Sequence, residues 1–175
     1  MTMPQVALEE MNSATSIATV SPEEFTSIYR LLLPQISRYL ARRVDRSDIE
    51  ELASRIFEIA WQKRTQAPKG FELPWLYRIA GYVVSNHRRS EGAKASFLAA
   101  FRPSDASPSA EDIAISDLSL SEAWAKLTPG ERQTISLSSF EGLDNPSAAR
   151  VLDISTNAFA LRLSKAKSKL KKLIS

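Results

Sequence analysis

Three times in this chain a serine or threonine stands three residues ahead of a glutamate, at the head of a run whose apolar residues recur every three or four positions. The hydroxyl accepts a bond from a free amide of the first helical turn and the glutamate returns one, so the pattern marks helix starts. Ser21-Pro22-Glu23-Glu24 is the first, with proline at a position where no N–H is needed. Phe25, Ile28, Leu32, Ile36 and Leu40 follow at helical spacing, and Pro34 among them removes one hydrogen bond, which predicts one bent helix or two short ones. Ser47-Asp48-Ile49-Glu50 predicts a second helix with a stripe of Ile49, Leu52, Ala53, Ile56, Ile59 and Ala60. Thr128-Pro129-Gly130-Glu131 predicts a later one running to about Glu141. No segment alternates with period two, so the expected fold is all-α, without a sheet.

Between these starts the chain shows its divisions. Residues 1–20 carry scattered Ser, Thr and Met and read as a tail. Lys63 to Pro74 holds Pro68, Gly70 and Pro74 among charges and reads as a loop. From Pro74 a third helix is expected, with Leu76, Ile79, Ala80 and Val83 on its core side and Trp75, Arg78, Tyr82, Ser85 and Arg89 on another. Residues 92–116 are rich in Ala, Ser, Pro and acid with no sustained stripe, which is linker composition. The expectation is therefore two small helical domains, 21–91 and 117–175, joined by a flexible linker and not fused round a common interior.

The second domain ends in a short helix opening at Asn145-Pro146 and a longer one capped by Ser155, joined by Asp153-Ile154-Ser155. That tight junction is the layout of a helix-turn-helix, whose second helix enters the major groove. Phe159, Leu163 and Ala166 recur at i, i+4 and i+7 and face inward. Ser155, Thr156, Asn157, Ala160, Arg162, Ser164, Lys165 and Lys169 are left as the candidate duplex-contacting set. Arg and Asn suit base edges, Ser and Thr suit bases or phosphates, and Lys suits phosphate. From Thr156 onward there are six Lys and Arg and no acid, whereas Glu111, Asp112, Asp117 and Glu122 gather in the middle of the chain. A solvated Lys-rich face on an ordinary terminal helix would look similar; the capped helix and short turn ahead of it favour the DNA reading.

A second candidate surface is the third helix with its preceding loop: Lys63, Lys69, Trp75, Arg78, Tyr82, Asn86, His87, Arg88 and Arg89. Bases stack on exposed rings while cations hold the backbone, at about 1–3 kcal/mol per base, so this combination suits single-stranded DNA. Trp75 and Tyr77 are equally suited to a core or an interface. Catalysis finds no footing, since the single histidine has neither Cys nor other His for a zinc site and the five glycines form no phosphate loop. No catalytic residue, metal, cofactor or small-molecule substrate is expected. The chain lacks cysteine and any apolar stretch near the roughly 20 residues a membrane helix needs, so a soluble, cytoplasmic protein is expected.

Three stretches, in order, resemble the extracytoplasmic-function group of the sigma-70 family. Asp48-Ile49-Glu50-Glu51-Leu52 with Phe57 and Ala60-Trp61 is similar to the helix that grips the clamp of the polymerase largest subunit. Trp75-Leu76-Tyr77-Arg78-Ile79-Ala80 with Asn86-His87-Arg88-Arg89 is similar to the segment that melts and reads the minus-ten element. Leu127-Thr128-Pro129-Gly130-Glu131-Arg132, then Ala148-Ala149, Leu152, Ile154-Ser155, Phe159, Arg162-Leu163 and Ala166, is similar to the domain reading the minus-thirty-five element. Arg55, Tyr82, Asn86, Ala148 and Asp153 depart from the residues usual in the group.

The resemblance implies an alternative sigma factor, not an enzyme, with core RNA polymerase (clamp and flap) and promoter DNA as partners and room for an anti-sigma factor. It puts Asp48, Glu51, Ser54, Arg55 and Glu58 towards core polymerase. The residues by themselves also allow a stand-alone helix-turn-helix regulator with a sensing or dimerising front domain, or a docking module with a solvated basic tail.

Overall fold

The computed structural model describes residues 20–99 and 118–174. The expected tail up to residue 19 and the expected linker from 100 to 116 lie outside them. Seven helices are described: α1 (Pro22–Ala41), α2 (Ile49–Gln62), α3 (Glu72–Ala99), α4 (Leu118–Ala125), α5 (Pro129–Ser139), α6 (Asn145–Leu152) and α7 (Thr156–Ile174). No strand occurs among the described residues, and the fold is all-α.

The start signals act as the sequence dictates in two of three cases. Ser21 and Thr128 each form a complete capping box, with the Glu24 and Glu131 carboxylates accepting from the cap amides at 2.9 and 2.8 Å. The Ser47 signal fails. A 3-10 turn, Arg46–Asp48, leads into α2, and Asp48 flanks the helix without a side-chain cap bond. Its carboxylate turns instead to His87, with Oδ2 at 3.3 Å from Nε2, a contact that only the packing of α3 creates. Pro34 does not divide α1, which runs unbroken. Both Pro34 and Arg30, whose carbonyl the missing N–H would have met, lie on the exposed side, where water can satisfy that carbonyl. The third helix is longer than expected and runs on to Ala99, because residues 92–99 contain no proline to stop it.

α1, α2 and α3 bury one another through Ile36, Leu40, Ile56, Ala60, Leu76 and Ala80, all fully enclosed. Each larger side chain among them contributes about 1.5–3 kcal/mol by leaving water. Rings finish the packing: Phe25 meets Trp61 edge-on at 5.1 Å, Tyr29 meets Phe57 at 4.8 Å, and Tyr39 stacks on Tyr77 at 5.0 Å. In the C-terminal domain Trp124, Leu127, Ile135 and Ala166 form a second cluster beneath α7.

The two domains are not apart. Leu137, Ala148, Ala149, Val151 and Phe159 belong to the same continuous apolar cluster as the front core, and α6 lies against α3. The expectation of separate interiors is corrected here. Two adjacent alanines on α6, both buried, let its backbone come close to α3, a contact that no periodicity within either segment reveals.

Asp153 joins α6 to α7 in the left-handed region, φ 56° and ψ 46°. Short polar side chains tolerate this conformation; branched ones do not. Asp153→Val is therefore expected to lower stability by about 1–2 kcal/mol in denaturant titration. An unchanged midpoint would refute the strain argument.

Candidate nucleic-acid interface

The helix-turn-helix is assembled by its caps. Asp144 accepts from the Ser147 amide at 2.8 Å to start α6, and Ser155 accepts from the Ala158 amide at 3.1 Å to start α7. Phe159 and Ala166 are buried and Leu163 is half-buried, so the inward stripe fixes how α7 is rotated. Ser155, Thr156, Asn157, Arg162, Ser164 and Lys165 are exposed, as are Lys167, Lys171 and Lys172; Ala160 is half-buried. The lysine-bearing terminus is thus within reach of a partner. Lys169 is differently placed, half-buried with its ammonium 2.8 Å from Glu131 Oε2. It braces α7 against the start of α5.

Two carboxylates at these joints sit below their ordinary values. Asp144 is lowered from 3.8 by its hydrogen bonds to the Ser147 side chain and amide. Glu131 is lowered from 4.5, first by its bond to Lys169 and then by the Thr128 amide. Groups with a folded value below the unfolded one add stability that is present above the unfolded value and lost as pH falls through the folded one. The helical signal of the C-terminal domain is therefore expected to hold down to about pH 4.5 and to decline below 3.8. Decline beginning near neutrality would contradict this assignment.

The expected single-strand surface is spread along α3. Among the described side chains of that helix Tyr82 is the most exposed ring, at 62%, while Trp75 is half-buried against the core and Tyr77 is inside it. Lys63 and Lys69 are exposed on the loop. The rest of the set is engaged. Arg88 donates to the Arg43 carbonyl at 3.0 Å, Arg89 to Asn86 at 2.7 Å, and Arg78 reaches Asp153 of the turn at 2.9 Å. Glu51, Ser54, Arg55 and Glu58 form one exposed stripe on α2, with Asp48 half-buried at its head. Asp48, Glu51 and Arg55 line a polar groove of about 420 Å³ together with Tyr82, Asn86 and His87. The α2 stripe and the α3 face therefore meet along one edge.

Sequence reasoning missed the residues that hold the domains together. Arg42 and Arg43 end α1, and Glu141 follows α5, where Gly142 turns the chain at φ 65°. Arg42 Nη2 lies 2.7 Å from Glu141 Oε2 and Arg43 Nη1 lies 2.9 Å from Oε1; the Glu141 side chain is only 1% exposed. Burial foremost, and then the Glu141 carboxylate it bonds, pushes the Tyr77 phenol above its ordinary range, so it stays protonated beside the pair. Arg150 of α6 lies 4.0 Å over the ring of Phe71 at the head of α3. The signal for this cluster was an Arg-Arg pair closing one helix and a lone acid after another, about a hundred residues away, which no local pattern links.

These observations define a class: a two-domain, all-helical protein whose rear domain presents a helix-turn-helix with an acid-free second helix. Residues 117–170 match the family described as Sigma-70, region 4. The fold is similar to that of the sigma factor RpoE in complex with the anti-sigma factor NepR from Bartonella quintana, with a TM-score of 0.62 and 21% identity over 87% of this chain and 97% of that one. It is also similar to CnrH in complex with the cytosolic domain of CnrY, with a TM-score of 0.55 and 21% identity over 92% and 94%. The PhyRSL–NepR complex from Sphingomonas sp. Fr1 matches at 0.54 and 18% over 83% and 86%. No curated protein sequence matches the chain significantly. None of the described helices is long and apolar enough to cross a membrane.

Proposed function

We propose that this protein is an alternative sigma factor of the extracytoplasmic-function group, which lends promoter specificity to core RNA polymerase in the cytoplasm and performs no covalent chemistry of its own. The stripe of Glu51, Ser54, Arg55 and Glu58, with Asp48 at its head, takes the polymerase clamp. The α3 face with Lys63, Lys69, Trp75, Arg78, Tyr82, Asn86, His87, Arg88 and Arg89 takes the melted minus-ten strand. Helix α7 takes the minus-thirty-five duplex through Thr156, Asn157, Arg162, Ser164 and Lys165, while Lys169 acts by bracing the helix. The carrying observation is the exposed, acid-free α7 on a sigma-70 region 4 domain. By analogy with the complex of RpoE with the anti-sigma factor NepR, an anti-sigma protein is a further partner.

Scale adds a requirement. The two promoter elements lie about 25 base pairs apart, about 85 Å of duplex at ~3.4 Å each. A compact chain of this length has a radius of gyration of roughly 16 Å. Docked domains cannot reach both elements, so initiation requires α6 to leave α3. The decisive experiment is run-off transcription by purified core polymerase on a pool of genomic fragments, with and without the protein. New start sites are expected; their absence would reject the proposal.

A further inference from the structure

Leu161 is 57% exposed on a helix whose other large apolar residues, Ile174 at its end excepted, are buried or half-buried. At 3.6 residues per turn each position advances about 100°, which places Phe159, Leu163, Ala166 and Leu170 within about 60° of one another. Leu161 lies roughly 180° from the middle of that stripe, at the apex of the outward face. Asn157, Ser164, Lys165 and Ser168 flank it, all exposed. It is the sixth residue of α7, in the N-terminal portion that meets base edges when such a helix enters the major groove. Arg162, by contrast, is turned to the side, where it lines a cleft with Lys165 and the start of α5. Charged groups at the flank meet phosphate, whereas the apex faces the floor of the groove.

The one apolar feature on the groove floor is the 5-methyl group of thymine. Resting on the sigma reading of α7, we infer that Leu161 is a specificity-determining residue that reads a thymine methyl in the upstream duplex. Asn157, one turn earlier on the same line, has the amide that pairs with adenine, so the expected site holds an adenine and a thymine under neighbouring turns of the helix. A single exposed leucine is common on protein surfaces and by itself signifies little. Its position at the apex of a groove-facing helix is what gives it a ligand.

Uracil differs from thymine only by that methyl, with the same donors and acceptors, and so isolates the contact. Duplexes bound by the full-length protein with core polymerase are selected from a randomised pool, and each thymine is then replaced singly by uracil. Wild type is expected to lose affinity roughly fourfold at one thymine, the value of one buried carbon. Leu161→Ala, whose helical content should be unchanged because the side chain is exposed, is expected to bind the thymine and uracil duplexes equally. Response at no thymine, or the same response in Leu161→Ala, overturns the inference while leaving the sigma reading intact. If no duplex is enriched, or if enrichment is indifferent to Arg162→Ala with Lys165→Ala, the sigma reading itself fails.

Discussion

Glu141→Ala is expected to undock the two domains and to be the most destabilising single change outside the helices. The substitution leaves Arg42 and Arg43 facing each other at an interface from which water is largely excluded, the Arg43 side chain being 6% exposed. Removing one member of such a buried set costs about 3–5 kcal/mol, most of it the penalty on the charges left behind. Replacing all members by apolar side chains removes that penalty, and so Arg42→Met, Arg43→Met and Glu141→Leu together should restore much of the stability. Calorimetry should show the melting transition of wild type separate into two, and small-angle scattering should show a larger radius. A single transition at the wild-type temperature in Glu141→Ala would show that the cluster does not hold the domains. Because promoter binding needs them apart, the same variant is expected to bind core polymerase and promoter at least as well as wild type, despite its lower stability.

The second large effect belongs to α7. Arg162→Ala with Lys165→Ala removes two cations from an exposed face without touching the buried stripe, so the fold should persist. Hydrogen bonds to charged groups contribute about 1.5–3 kcal/mol each, which makes the pair worth about 3 kcal/mol or roughly 150-fold in affinity for the upstream duplex. Initiation should fall at promoters that need the upstream element. The slope of log affinity against log salt should become shallower by about 0.9 for each phosphate that is no longer neutralised. Unaltered transcription with an unaltered salt slope would mean that the basic end is only a solvated surface.

Much of the architecture was legible because it is local. A hydroxyl three residues before a carboxylate, a proline at the first helical position and apolar residues every three or four places act within one turn, and the starts at Ser21 and Thr128 formed as the pattern requires. Asp153, a departure from the residue usual in the group, nonetheless takes the left-handed turn, which a short polar side chain tolerates. The inward and outward faces of α7 followed from spacing, and the same spacing turns Leu161 outward. Where a distant partner competed, the local signal failed: the Asp48 carboxylate left the start of α2 for His87.

The sequence by itself determined the helices, their order and the basic character of the final one, because capping and amphipathic spacing are satisfied within a few residues of chain. Only the tertiary structure decided that α6 rests on α3, that Glu141 is shared by Arg42 and Arg43, and that Arg78 and Phe71 are engaged by the rear domain. Those interactions join residues some 75 to 100 positions apart, and they exist because burial and charge pairing reward proximity in space, to which periodicity along the chain is blind.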